Sequence, residues 1–170
     1  MPLMLSSPKP FDTPVISAPM KVLPEWIDYN DHLNVAYYTL IFDRSAETAV
    51  DILNLGEAYR RAENRTLVTA EAHITYVREL KLGAEVRATF RLLDADAKSL
   101  HVYQELFHAD GWLSATQESI LLHVDLTSEA GPKVVRMSEA VQTDVQTMLR
   151  YHSSLPRTKY VGRALGVRRR

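Results

Sequence analysis

A polar junction between a strand-like run and a helix-like run decides the fold of this chain. Residues 26–38 read Trp-Ile-Asp-Tyr-Asn-Asp-His-Leu-Asn-Val-Ala-Tyr-Tyr. Carboxylates, carboxamides and an imidazole are crowded into this junction at Asp28, Asn30, Asp31, His32 and Asn34. A helix that starts here presents unpaired backbone N–H groups and the positive end of its dipole. Such a helix start can bind a carbonyl oxygen with an acid or base beside it, so the junction is the first candidate for a catalytic site.

The residues after the junction have the period of an amphipathic helix. Apolar side chains recur at steps of three and four, and the spacing predicts a helix over 33–53 with one buried stripe. Asn30 or Asp31 is the expected N-cap. Residues 57–64 are expected to form a polar connection or a further helical turn. Another face of the long helix is acidic, with Asp43, Glu47 and Asp51.

After Arg65 the hydrophobic period changes from that of a helix to that of strands. The alternation slips near residues 117–119, which predicts a β-bulge there. Asp110-Gly111 is a hairpin signal. A last helix is predicted over 139–150, with Ser138 as its N-cap. The expected strand regions are 15–27, 66–77, 86–92, 99–108 and 112–126.

The order of these elements predicts an α+β fold. Connections of a few residues between the last four strands favour an antiparallel meander. One apolar helix needs a curved sheet wrapped around it. We therefore expect a single domain over 15–150, preceded by an extended proline-rich arm over 1–14 and followed by a basic tail over 151–170.

Composition excludes several kinds of function. The 170 residues carry a net charge of -1, so no strong field favours nucleic acid or a membrane surface. The absence of cysteine excludes disulfides, thiolate metal sites and a cysteine nucleophile. No run is apolar and long enough to span a bilayer, and no secretory signal is visible at the N-terminus. A soluble cytoplasmic protein is expected.

The junction and the order of elements resemble the 4-hydroxybenzoyl-CoA thioesterase family of hot-dog proteins. In that family an Asp precedes a Gly/Asp-His-Val/Leu-Asn turn that opens the central helix, and Asp28 and residues 31–38 match this pattern. The resemblance covers about residues 15–127, although many relatives have Gly where this chain has Asp31. It implies a hot-dog fold, hydrolysis of an acyl-CoA and at least a homodimer with the pocket between subunits. It places the catalytic carboxylate on Asp28 and the carbonyl-polarising amide near Val35.

A narrower resemblance concerns the substrate. Residues 69–76 and 115–125 are similar to thioesterases of bacterial carnitine degradation, which act on betainyl-CoA. A trimethylammonium group is held by the faces of aromatic rings. The aromatic candidates for the acyl pocket are Trp26, Tyr37, Tyr76 and Trp112, whereas Tyr38 lies on the buried stripe of the helix and is expected in the core.

The roles of the junction residues remain open at this stage. Asp28 is either the nucleophile or the general base that activates water. Asn30 and Asn34 either orient a reacting group or serve as cap and turn residues. His32 either donates to the thioester or hydrogen-bonds within the turn, and Asp31 is expected to cap the helix.

Two residues outside the junction are also candidates. Glu71 and His73 share one face of a predicted strand, where they either complete the pocket from the opposite subunit or lie on a solvated face. No metal is expected, because the histidine spacings match no ligand motif, and no cofactor is needed for thioester hydrolysis. Two alternatives are an acyl-thioester hydratase or dehydratase on the same fold and a non-catalytic acyl-CoA-binding module.

Overall fold

The computed structural model describes residues 11–167 of the chain. The three α-helices are α1 (Val35–Ile52), α2 (Glu57–Glu63) and α3 (Glu139–His152), and a short 3-10 helix spans Pro24–Trp26. The strands are β1 (Val15–Ile16), β2 (Met20–Lys21), β3 (Arg65–Tyr76), β4 (Glu85–Ala95), β5 (Ser99–His108), β6 (Leu113–Asp125) and β7 (Lys133–Val134).

All strands belong to one antiparallel sheet with the order β1-β4-β5-β6-β3. The short strands β2 and β7 pair with β4 and β6. The predicted α+β fold is confirmed, and β4, β5 and β6 form consecutive hairpins. The expected meander of four strands is wrong in one respect, because β3 pairs with β6 instead of β4. This exchange puts β3 at the edge of the sheet.

Helix α1 packs on one face of the sheet through two apolar clusters, one beneath each half of the helix. The α3-side cluster packs against the C-terminal half of α1 and consists of Val15, Ala49, Leu53, Leu55, Phe90, Leu92, Leu100, Val102, Met137, Val141, Val145 and Met148. The turn-side cluster packs against the N-terminal half and consists of Val22, Trp26, Leu33, Tyr38, Ile41, Phe42, Leu80, Val86, Ala88, Leu106 and Ala115. The predicted burial of Tyr38 is confirmed.

The start of α1 differs from the sequence prediction. The helix begins at Val35, and its N-cap is Asn34 instead of Asn30 or Asp31. Leu33 is still extended because it bridges Ile27 and donates its N–H to the carbonyl of Leu80 at 2.8 Å. Helical geometry therefore cannot begin before the residue that follows this bridge.

Two details of the strands also bear on the prediction. The hairpin at Asp110-Gly111 is confirmed: the His108 N–H donates to the Trp112 carbonyl at 3.0 Å, and Gly111 has a φ of 86°. The bulge predicted in β6 lies instead on the partner strand β3, where the register shifts between Thr69 and Glu71. An extra residue in either strand shifts the register of the pair, so the alternation in the sequence did not show which strand carries the bulge.

The segment after α3 crosses the face of the sheet opposite α1. Arg91 donates to the backbone carbonyl of Leu155 at 2.9 Å, and the hydroxyls of Tyr103 and Thr158 lie 3.2 Å apart. The N–H of Gly162 donates to the Glu118 carboxylate at 2.7 Å. Burial under this segment raises the pKa of Tyr103. Residues 1–10 of the expected arm and the terminal arginines 168–170 lie outside the described residues.

The helices of residues 11–167 lack the combination of length and hydrophobicity that a membrane span requires. Each of them is too short or too polar to span a membrane.

Candidate active site

The polar junction folds into a tight turn immediately before α1. The N–H of Asp28 donates to the carbonyl of His32 at 3.1 Å, and the N–H of Asp31 donates back to the carbonyl of Asp28 at 3.0 Å. Asp31 has a left-handed φ of 60°. Glycine adopts this conformation most easily and aspartate tolerates it. The turn geometry explains why glycine is common at this position in the family that the sequence resembles.

The first backbone donor of α1 is free. The side chain of Asn34 accepts the N–H of Ala36 at 3.0 Å, and its own N–H donates to the Trp26 carbonyl at 2.9 Å. Within residues 11–167, no protein acceptor receives the N–H of Val35. Val35 is 60% exposed. An exposed donor at the positive end of a helix dipole can bind a carbonyl oxygen that is gaining negative charge.

The carboxylate of Asp28 lies in the same turn. Its Oδ1 accepts the N–H of Asn30 at 2.8 Å and lies 3.8 Å from Nδ1 of His32. The Asp28 side chain is only 16% exposed, so it is held close to the protein surface instead of extending into solvent. The sequence-predicted residues Asp28, Asn30, His32, Asn34 and Val35 are therefore gathered in one turn and helix start.

The imidazole of His32 links this turn to the loop after β3. Its Nε2 lies 3.7 Å from the carboxylate of Glu79, which forms an ion pair with Lys81 at 2.8 Å. The Lys81 ammonium lowers the pKa of Glu79, so this carboxylate stays charged. Glu79 and Lys81 were missed in the sequence because nothing local connects them to residue 32.

The predicted aromatic residues occupy three different positions. Trp26 and Tyr37 stack beside the turn with ring centroids 5.5 Å apart, and Trp26 is 5% exposed. Tyr76 is half-exposed and makes an edge contact with Tyr38 at 5.0 Å. Trp112 lies apart from both pairs, between the ring of His108 at 4.6 Å and the guanidinium of Arg78 at 4.1 Å.

Glu71 and His73 point away from α1. Paired residues in an antiparallel sheet share a face. Ala72 and Ile74 pair with Ser119 and Gln117, which line the α1 side of the sheet, so the intervening His73 and its partner Glu118 face the opposite side. Glu71 is on that opposite side as well, because it pairs with Ile120. The structure does not bring either residue to the Asp28 turn of the same chain.

A cavity of about 720 Å³ lies between α1 and the sheet, beside the edge strand β3. Its lining begins on α1 at Thr39, one turn after Val35, and continues to α2. The floor is formed by β3, β5 and β6 residues, including Gln104, Gln117 and Ser119. The acidic side chains along it are Asp43, Glu47, Asp51 and Glu57. The sequence showed the acidic face of α1 but not that this face borders a cavity.

No group of three or more histidine, aspartate or glutamate residues between 11 and 167 is arranged to hold a metal ion. The groups that the structure places at the turn are a carboxylate, an imidazole and a free backbone donor.

Sequence comparisons show the family of the chain. The sequence profile of the thioesterase-like superfamily matches residues 22–145. A betainyl-CoA thioesterase of Pseudomonas aeruginosa is 35% identical over 147 residues, covering 86% of this chain and 91% of its own. The chain therefore belongs to the thioesterase-like superfamily, and its enzyme class is thioester hydrolase. The resemblance inferred from the junction is confirmed.

Other relatives are larger or structurally defined. An L-carnitine dehydrogenase/betainyl-CoA thioesterase of Rhizobium meliloti is 31% identical over 150 residues, which cover 88% of this chain and 29% of that protein. A solved thioesterase candidate from Pseudomonas putida is 32% identical with a TM-score of 0.79, covering 92% of this chain and 98% of its own. A Staphylococcus aureus protein solved with CoA has the same fold, with a TM-score of 0.82, 24% identity and coverage of 92% and 98%.

Proposed function

We propose that this enzyme hydrolyses betainyl-CoA to betaine and CoA at the Asp28 turn, as part of carnitine breakdown. The observation that carries the proposal is the convergence of a sheltered carboxylate, Asp28, and a free helix donor, the Val35 N–H, on one turn. Thioester hydrolysis needs both a group that supplies the nucleophile and a donor for the developing oxyanion.

The reaction follows from these two groups. The thioester carbonyl oxygen accepts the Val35 N–H, which stabilises the negative charge that develops on it. Asp28 either attacks the carbonyl carbon to give an anhydride that water then cleaves, or takes a proton from the attacking water. In both routes the carbon–sulfur bond breaks and the CoA thiolate leaves and is protonated. His32 lies beside Asp28 and is suited to orient the carboxylate.

The choice of acyl group is supported by the relatives. The Pseudomonas aeruginosa protein that matches most of this chain is a betainyl-CoA thioesterase. The Rhizobium meliloti relative joins a matching segment to an L-carnitine dehydrogenase in one chain. Tyr37, which is partly exposed beside the turn and stacks on the buried Trp26, offers a ring of the kind that binds quaternary ammonium groups.

The test is release of free thiol from a panel of acyl-CoAs that includes betainyl-CoA. Asp28→Asn is expected to lower kcat/KM by about 10²–10⁴-fold, because it removes the nucleophile or base. The matched control is Asp31→Asn, which removes the same charge three residues away, and asparagine also tolerates the left-handed φ of this position. Full activity of Asp28→Asn, or no preference for betainyl-CoA in the native protein, would overturn the proposal.

Isotope labelling identifies the anhydride route if water opens the anhydride at the Asp28 carbon. In a single turnover in H₂¹⁸O, the anhydride route puts the heavy oxygen into the Asp28 carboxylate when water attacks that carbon. Direct attack of water puts it only into betaine.

A further inference from the structure

Two acidic side chains on the cavity wall have no ion-pair partner among the described residues, and the basic residue of the lining, Arg60, donates to Asn64 at 2.7 Å. Two of the four acids of the cavity have neighbours at the start of α2. The carboxylate of Asp51 lies against Gly56, in the space that the Cβ of another residue would fill. Glu57 forms an ion pair with Arg61. Asp43 and Glu47 make no ion pair or side-chain hydrogen bond with the described residues. They lie one turn apart on the same face of α1.

A buried acceptor on the cavity floor is also unpaired. Gln117 is 7% exposed, and no residue of the described chain donates to its Oε1. Its orientation is fixed, because Gln104 donates to the Phe42 carbonyl at 3.0 Å and thus offers its own oxygen to Nε2 of Gln117 at 3.4 Å. A buried acceptor without a donor is costly. The partial negative charge of this oxygen adds to the charge of the two carboxylates, and together they favour a cationic ligand; a quaternary ammonium, which has no N–H, is attracted to them electrostatically.

The cavity is too far from the catalytic turn of its own chain to hold this ligand during hydrolysis. At the rise of an α-helix, Asp43 lies about 12 Å along the axis from Val35. In betainyl-CoA only one methylene group separates the carbonyl carbon from the quaternary nitrogen. A betainyl group whose carbonyl meets Val35 therefore cannot place its charge beside Asp43 or Glu47 of the same chain.

A second copy of the chain can bring the two acids close to a catalytic turn. In the part of the chain that the structure describes, β3 is a twelve-residue edge that pairs only with β6, and no lysine or proline protects it. Helix α1 runs antiparallel to β3. Tyr38 near the start of α1 contacts Tyr76 at the end of β3, whereas Val50 near the end of α1 and Thr66 at the start of β3 line the same cavity. Antiparallel pairing of two β3 edges about a two-fold axis places the Tyr76 end of one copy beside the Arg65 end of the other. The Asp28 turn of one copy then faces the C-terminal half of the other α1, which carries Glu47.

We propose that Glu47 and Asp43, with the free amide oxygen of Gln117, bind the quaternary ammonium of an acyl group whose thioester is held by Asp28 and Val35 of a second copy. This inference rests on the function proposed above and adds the residues that select a cationic acyl group. In the pocket between subunits that the family resemblance implies, the acids of one chain then lie opposite the catalytic turn of the other.

The first experiment compares betainyl-CoA with 3,3-dimethylbutanoyl-CoA, in which a tert-butyl group replaces trimethylammonium with the same shape and no charge. Glu47→Gln is expected to lower kcat/KM for betainyl-CoA about tenfold relative to kcat/KM for the neutral substrate. Glu129→Gln is the matched control, because Glu129 is exposed in the turn between β6 and β7. Equal effects of Glu47→Gln on both substrates would overturn the proposal.

The second experiment tests the exchange between copies. Asp28→Asn and Glu47→Gln chains are mixed in equal amounts, unfolded and refolded together. If the site is shared, mixed dimers contain one native site, and the sample reaches about a quarter of native activity on betainyl-CoA. If both residues serve one site within a chain, about a twentieth is reached.

The outcomes separate this inference from the proposed function. A monomer in sedimentation analysis, or a twentieth of native activity after mixing, overturns the inference while betainyl-CoA hydrolysis by the native protein still supports the function. No hydrolysis of betainyl-CoA by the native protein overturns both.

Discussion

The two halves of α1 are supported in different ways. The N-terminal half rests on the turn-side cluster, whose aromatic members include Trp26 and Tyr38, and it ends in the exposed Val35 N–H. The C-terminal half rests on the largely aliphatic α3-side cluster and is followed by α2. We therefore expect the proposed chemistry to depend on the first half and much of the stability on the second. Substitutions in the two halves should therefore separate activity from the free energy of unfolding.

The largest effect is expected at the start of α1. Val35→Pro removes the free N–H, and proline is well tolerated at the first position of a helix. Asn34 already has φ and ψ of -64° and 143°, which are compatible with a following proline. We expect kcat to fall about 10²–10³-fold, as when one oxyanion donor is lost. Steady-state thiol release measures the change.

Val35→Ala is the control for this substitution, because it retains the donor and should retain activity. Urea unfolding of Val35→Pro should show a stability close to that of the native protein. If the proline variant kept full activity, the helix start would have no role in polarising the substrate.

An intermediate effect is expected on the α3 side. His152 is fully buried, and its Nδ1 accepts the N–H of Leu92 at 2.9 Å. Burial, with the nearby charge of Arg91, lowers its pKa to about 4 from 6.5. Because the unfolded chain takes up a proton below pH 6.5 and the native chain does so only near pH 4, stability is present at neutral pH and is lost as the pH falls. The expected loss from this residue between pH 7 and pH 5 is about 2 kcal/mol.

Urea unfolding at both pH values measures this loss. His152→Asn keeps an acceptor but cannot titrate, so its stability should change less over the same range. Activity per folded molecule should be the same in both proteins at pH 7. An equal pH dependence of the two proteins would exclude His152 as the source.

The smallest effect is expected in the turn itself. Asp31→Gly relieves the left-handed φ but gives the unfolded chain more freedom, so stability should change by less than about 1 kcal/mol, in the direction of stabilisation. Asp31→Ala should be the less stable of the two, because it keeps the Cβ and loses the polar group. Urea unfolding compares both with the native protein. A clear loss of stability in the glycine variant would show that the Asp31 carboxylate makes a contact of its own.

Much of the fold followed from local patterns. The strand at 99–108 has the predicted bounds, and Ser138 caps α3 by accepting the Val141 N–H. Pairings between distant segments were harder to predict. The exchange that pairs β3 with β6 depends on which edges meet in space, and the Leu33 bridge that delays α1 uses a carbonyl at Leu80. Neither leaves a periodic signal in the sequence.

The candidate site also has a local part that the sequence predicted and a part built from distant segments that it did not. Residues 28–35 are contiguous, so their pattern alone brought them together as a hypothesis about catalysis. Gln117, Glu79 and the cavity come from separate segments, and their proximity depends on the sheet order. The faces of Glu71 and His73 were uncertain because a bulge lies between Thr69 and Glu71.

The segment after α3, residues 155–162, matters for the design of truncated versions of the protein. Tyr103 and Thr116 on the outer sheet face are each 2% exposed although no helix between residues 11 and 167 covers them, and the segment 155–162 contacts Tyr103. Truncation after α3 would expose the ring of Tyr103 and its neighbours to solvent, and we expect poor expression and aggregation. Shortened versions should therefore retain Gly162.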